Sequence, residues 1–275
     1  MSHRVVFHAA ALTLALAAVS LSGSAGAQAL LGGTLSLTMV PGFGACNASG
    51  QVSTSTPQNT FMLAVATPSS AACAGQSATG SMHAEAATRS IGISLTASGP
   101  QTTAAGLVSF VDSWIITPPP GTPTGLISMP VSFSLEGVVA PGSTFSFGRF
   151  LDYSFTISAI NSGAGNPQPN FQVGGQITTT GASALTFNSN VSFMNLNQAS
   201  MPMTALVEMT LFAPQLNAGS IDFYNTAIAS ISLPPGFTAM TASGIPLVFA
   251  PVPEPGALAL WALGLAAVGL ARRRG

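Results

Sequence analysis

The chain has 275 residues, of which 47% are hydrophobic and 5% charged, with six arginines, seven carboxylates, no lysine and a formal net charge of −1. Nucleic-acid binding needs several phosphate-neutralising cations gathered on one face, and this composition does not supply them. A basic amphipathic helix lying on a membrane surface is excluded on the same ground.

Residues 1–27 predict a secretory signal peptide. Met1 to Arg4 carries positive charge, Val5 to Val19 is apolar apart from His8 and Thr13, and Ala25-Gly26-Ala27 supplies a small-x-small site with cleavage after Ala27. Such a leader implies Sec-type export machinery and signal peptidase as partners. Residues 28–250 then form the exported body, where Arg89 and Arg149 face Glu85, Asp112, Glu136, Asp152, Glu208 and Asp222, two cations against six anions and a net of −4. Its surface must be built from Ser, Thr, Asn, Gln and Gly. Weak charge repulsion favours association with other material, which fits a matrix or envelope resident better than a freely diffusing enzyme.

Cys46 and Cys73 both lie in this body. In an oxidising compartment the favoured pairing is one disulfide, closing a loop of about 28 residues. Chain entropy puts its contribution at roughly 3 to 4 kcal/mol. Two free thiols or a metal pair are the alternatives, but a metal site needs more ligands, and His83 is the one histidine left once the leader is gone. No metal, cofactor or catalytic residue is expected.

The body reads as strands. Ile91, Ile93, Leu95 and Ala97 alternate with polar residues, as do Ile127, Met129, Val131, Phe133, Leu135, Gly137 and Val139. After a turn at Pro141-Gly142-Ser143, Phe145, Phe147, Leu151, Tyr153, Phe155, Ile157 and Ala159 repeat the pattern, and Met203, Ala205, Val207, Met209 and Leu211 do so again. Period two over such lengths marks strands with one buried face. Weaker candidates cover 34–40, 61–66, 107–116, 171–179, 185–193, 221–233 and 237–249. About ten strands divided by Pro/Gly-rich turns predict an all-β, antiparallel two-sheet sandwich, jelly-roll-like, as one domain over 28–250. Two smaller sandwiches divided near Pro118 to Thr124 are the alternative.

Chemistry is sparse. A Ser-His-Asp system has only His83 to draw on, and no Gly-x-Ser-x-Gly elbow precedes a helix. His83 and Glu85, as His-x-Glu, share one strand face and read as a polar pair at a solvent face. Gly32-Gly33 and Gly174-Gly175 lack a strand-to-helix phosphate context and read as bulges or turns. Arg149 has the parity of Phe147 and Leu151. It is expected to swing out at a bulge or to pair with Asp152 or another acid; the sharper alternative is a ligand-facing arginine on a concave sheet. Trp114 is the body's one tryptophan, either a core anchor or a platform for a sugar ring. Asn-x-Ser at Asn47 and Asn190 permits glycosylation.

The final segment, 251–275, has three parts. Pro253-Glu254-Pro255 is stiff and extended because neither proline continues a helix inward. Residues 256–271 are 16 positions without a charge, about 24 Å as a helix against a hydrocarbon core of about 30 Å, a shortfall that snorkelling arginines and local thinning can absorb. Arg272, Arg273 and Arg274 hold the cytoplasmic side of this transmembrane helix.

The order of proline motif, apolar helix and basic cluster closely resembles the PEP-CTERM sorting signal of Gram-negative exoproteins, and the likeness covers residues 252–275. The resemblance implies handling by exosortase, a membrane transpeptidase with a catalytic cysteine. It also implies removal of the tail near Pro253-Glu254-Pro255 after a transient stay in the inner membrane, and delivery to the cell surface or an exopolysaccharide matrix. Residues 221–237 also look like closing strands seen in proteins of that family. The leading expectation is a non-enzymatic surface or matrix protein associated with exopolysaccharide or biofilm. A carbohydrate-binding jelly-roll module comes next, and an envelope glycan hydrolase last.

Overall fold

Exposure alternates residue by residue along most of the chain, which is how a pleated backbone gives each strand a wet face and a dry one. In the computed structural model, the described residues are 30–39, 48–53, 60–66, 76–99, 102–160, 168–196, 202–241 and 245–246. Their regular structure is entirely β: β1 (Leu30–Met39), β2 (Ala48–Ser53), β3 (Thr60–Ala66), β4 (Ser77–Glu85), β5 (Ser90–Ser98), β6 (Thr102–Thr117), β7 (Gly125–Val139), β8 (Thr144–Phe145), β9 (Leu151–Ile160), β10 (Gln168–Ile177), β11 (Gly181–Asn195), β12 (Met203–Ile231) and β13 (Thr238–Thr241). Among these residues no helix is long and apolar enough to cross a membrane. The signal peptide and the transmembrane helix expected at 256–271 fall outside them.

Every ladder is antiparallel, and β12 is where they meet. Its first part lies between β6 and β9, so one set of strands runs β2-β1-β6-β12-β9-β10. Its second part lies between β5 and β7, giving a second set, β3-β4-β5-β12-β7-β11. The passage between sets is marked by register shifts from Ala213 to Ala218 and by Gly219 at φ 94°, a conformation that favours glycine. The buried Ser143 side chain holds this crossing: its hydroxyl donates to the Ser220 carbonyl at 3.2 Å and accepts from the Ser220 amide at 3.1 Å.

The dry faces of the two sets meet in one hydrophobic cluster. Leu35 of β1 reaches between Gly80 of β4 and Gly106 of β6, where added β-carbons would each stand 2.9 Å from its methyl group. Phe133 of β7 stacks on Phe155 of β9 with ring centroids 5.1 Å apart and planes 7° off parallel, while Phe171 of β10 meets Phe155 edge-on at 5.7 Å. Offset and edge-on rings of this kind add stability beyond the area they bury.

The sequence expectations fail at identifiable places. β2 and β4 are not among the expected strands; of the inward residues of β4, Ala78, Gly80, Met82 and Ala84, only Met82 is large, too little to give an apolar alternation. The runs 203–211 and 221–233 are one strand, continuing through Pro214 and Gly219 by shifting register. From Phe145 to Leu151 the alternation breaks at Gly148, φ 73°, so Phe150 turns inward at 4% exposure and Phe147 outward at 45%. The loop 118–124 is no hairpin, because β6 and β7 do not pair with each other and instead join different parts of β12. Gly32-Gly33 and Gly174-Gly175 sit inside continuous ladders rather than at bulges. Gly175 is needed because a β-carbon there would strike the Tyr153 ring.

Candidate functional site

Several residues singled out in the sequence lie outside the described ones: Ala27, Cys46, Cys73, Pro253, Glu254, Pro255, and Arg272, Arg273 and Arg274. Trp114 is completely buried in β6, opposite Ala205 of β12 and Thr241 of β13. It is a core anchor, and a sugar ring cannot reach it in this structure. Arg149 turns away from the core, and its Nε donates to Asp152 Oδ2 at 2.7 Å, with both side chains partly exposed. Of the expectations for Arg149, the geometry shows the local pair with Asp152.

Among the described residues, a polar cluster lies at the β4–β5 hairpin, on the outer face of the second set. The β4 strand places Met82 and Ala84 inward, so His83 and Glu85 point outward, and the turn 86–89 closes with Arg89 at φ 56°. Thr88 Oγ1 donates to Glu85 Oε2 at 2.7 Å and lies 2.7 Å from the Ser90 hydroxyl. A bulge in β12 covers this face. Phe223 pairs with Ile93 and Ala227 with Ile91, so residues 224–226 stand against Gly92 alone. The Tyr224 ring lies 4.6 Å from the His83 ring, and His83 Nδ1 is buried without a hydrogen-bond partner. Burial lowers the His83 pKa from 6.5, against an opposing pull from Glu85. The imidazole is therefore neutral at physiological pH. Nothing here forms a nucleophile–base pair, and among the described residues no three His, Cys, Asp or Glu side chains gather to hold a metal ion.

Asp112 was not singled out in the sequence, although it shares the parity of Phe110 and Trp114. It lies on the core face of β6 at 2% exposure between those two rings, both fully buried. Its Oδ1 accepts from the Ser113 amide at 2.8 Å, and its Oδ2 is buried without a partner. Desolvation pushes the carboxyl up to about 7, with the Ser113 amide pulling the other way.

One shallow groove of about 390 Å3 opens on the outer face of β7, β11 and β12, lined by Pro130, Ser132, Asn188, Asn190 and Ser232. The Ser132 and Ser230 hydroxyls lie 2.6 Å apart beside it. Amide and hydroxyl groups on a flat sheet face are donors and acceptors suited to other polar polymers.

No curated protein and no solved structure matches the chain. Residues 251–274 match the family described as the PEP-CTERM protein-sorting motif. The match overlaps Pro253-Glu254-Pro255, the apolar run and the three arginines, and it indicates an exported protein targeted to exosortase and sorted through a membrane-anchored stage to the cell surface. By that segment the chain is a PEP-CTERM domain-containing protein.

Proposed function

We propose that this chain is a non-enzymatic surface or matrix protein of a Gram-negative bacterium, cut from its leader after Ala27, released by exosortase near Pro253-Glu254-Pro255, and held in exopolysaccharide or biofilm. The sorting motif at 251–274 is the observation that carries this proposal. The body supports it in two ways. Its polar surface is almost without charge, so little opposes close contact with a neutral polymer. The 15 residues of β11 contain no charge and no proline and, among the described residues, pair on one side only, with β7. Strand edges of that kind favour association unless blocked. The two sets of strands that face each other across the core are read as the layers of a jelly-roll-like sandwich, stapled by Cys46–Cys73.

Intact-mass analysis of the protein from its native cell tests the processing. The expected product begins at Gln28 and lacks the residues after the Pro253-Glu254-Pro255 region. A stably membrane-bound product that keeps its tail would overturn the sorting part of the proposal.

The groove beside Ser132, Asn188 and Asn190 supports a second function, carbohydrate binding. Saturable binding of a glycan by the exported protein, lost in Asn188→Ala/Asn190→Ala while the fold persists, would favour it over a purely structural role. Polysaccharide turnover lost on neutralising one carboxylate would instead revive the hydrolase.

A further inference from the structure

Among the described residues the two sets of strands end in four outer strands, β2 and β10 in the first and β3 and β11 in the second. An outer strand directs alternate backbone N–H and C=O groups away from its neighbour, and proteins blunt such edges by shortness, proline, bulges or charge. β2 and β3 are short, at 6 and 7 residues. β10 carries Pro169 and a register shift between Pro169 and Phe171. β11 has none of these devices. Its 15 residues pair with β7 in unbroken register from Gly181↔Val139 to Asn195↔Gly125, with neither proline nor charge. At about 3.4 Å per residue its outer edge is about 50 Å long.

The side chains of β11 are also incompletely covered. Val191 and Phe193 are buried, whereas Leu185 and Phe187 are only partly so, although the Phe187 ring lies 6.4 Å from that of Phe133 and 6.0 Å from that of Tyr153. On the wet face Thr186, Asn188, Asn190 and Ser192 are exposed.

A second copy of this chain matches such an edge. About a twofold axis, an antiparallel strand pairs with itself, and each contact occurs twice. Full overlap of Gly181 to Asn195 puts Asn188 on the axis, with Thr186 opposite Asn190 of the copy and Ala184 opposite Ser192 of the copy. On the dry face Leu185 comes beside Val191 of the copy, so wet and dry faces both continue across the junction. Like charges directly opposite each other destabilise a strand pair, and β11 has none to set against its own image. Full overlap makes roughly 14 main-chain hydrogen bonds, against about 10 in an ordinary interface.

We propose that two copies of this chain dimerise by antiparallel pairing of β11 with β11 about a twofold axis at Asn188, joining their second strand sets into one continuous sheet. Both copies use the same edge, so the pairing closes on itself rather than growing into a fibre. Pairing through β11 does not depend on how the tail is processed, and a monomer in the test below would leave the role in export and sorting intact.

Sedimentation equilibrium at low salt, on the exported protein purified from its native cell, tests this with three chains: unchanged, Asn188→Lys and Asn188→Asp. The unchanged protein should be a dimer that dissociates on dilution. Each variant alone sets like charges against each other on the axis and should raise the dissociation constant about tenfold or more. An equimolar mixture of the two should return it to the unchanged value or below, because the lysine of one copy then faces the aspartate of the other. A monomeric unchanged protein, an open-ended polymer, or a mixture no tighter than either variant alone overturns the pairing. A second measurement needs no variant. Amide hydrogen exchange within 181–195 should slow as the unchanged protein is concentrated through its dissociation constant, while exchange within 60–66, at the β3 edge, stays constant. The same response at both edges would overturn β11 as the seat of the dimer.

Discussion

The carbonyl oxygen of Tyr224 occupies the place where a β-carbon on Gly92 would stand. The β12 bulge lies flat on β5 because that position is glycine, and it crosses Gly137 of β7 in the same manner, where a β-carbon would be 2.6 Å from the Asp222 carbonyl. Alanine at Gly92 meets backbone rather than the yielding tip of a side chain, so the bulge must lift and uncover His83. Gly92→Ala is expected to cost about 3 kcal/mol in urea unfolding, whereas Ser81→Ala on the same outer face should stay within about 0.5 kcal/mol. Equal midpoints for the two variants would show that the bulge does not press on Gly92.

Trp114 is interior, and its truncation is a stability experiment. Trp114→Ala should destabilise by about 3 to 5 kcal/mol in denaturant unfolding, with any loss of glycan binding tracking the loss of fold. A variant that unfolds at the parent midpoint would contradict the buried position. The probes of glycan binding are therefore Asn188 and Asn190, which line an open face.

The parts of the molecule legible in the sequence are those whose signal is local. Proline motif, apolar run and arginines are contiguous at 253–274, so a short window reads them whole. Strands with large inward residues, such as Phe133, Leu135, Phe155 and Ile157, show their period directly. β4 does not, because three of its four inward residues are glycine or alanine, and Gly80 is set by the nearness of Leu35 across the core, a tertiary demand that no local window contains. The single long β12 was hidden because Pro214 and Gly219 are breakers in isolation, while here they bend a strand that neighbours on both sides hold in place. Asp112 had the right parity to be seen as inward, but a charged residue is ordinarily assigned outward. Tyr224 joined no expectation, since a bulge that folds onto a distant histidine depends on strand pairing.

His83 offers a spectroscopic check of the bulge. The other two histidines, His3 and His8, lie within residues 1–27, so in a chain prepared without those residues the His83 ring signals assign themselves. Burial lowers its pKa, so the native imidazole should titrate below 6.5 by NMR. Tyr224→Ala admits water to the ring and should move the midpoint upward, helped by Glu85. A base with a depressed folded pKa adds stability that is complete above the unfolded value of about 6.5 and is lost as pH falls below it. An unchanged midpoint in Tyr224→Ala would mean that Tyr224 does not desolvate the ring.

Asp112 gives the opposite slope. With its carboxyl pushed up to about 7, the folded state keeps a proton that the unfolded chain releases near 3.9. Its contribution is therefore complete below about pH 3.9 and is lost as pH rises through about 7. The denaturation midpoint should fall between about pH 4 and 7.5 by an amount that Asp112→Asn removes. Parallel curves for the parent and Asp112→Asn would show that the fold does not hold the Asp112 proton.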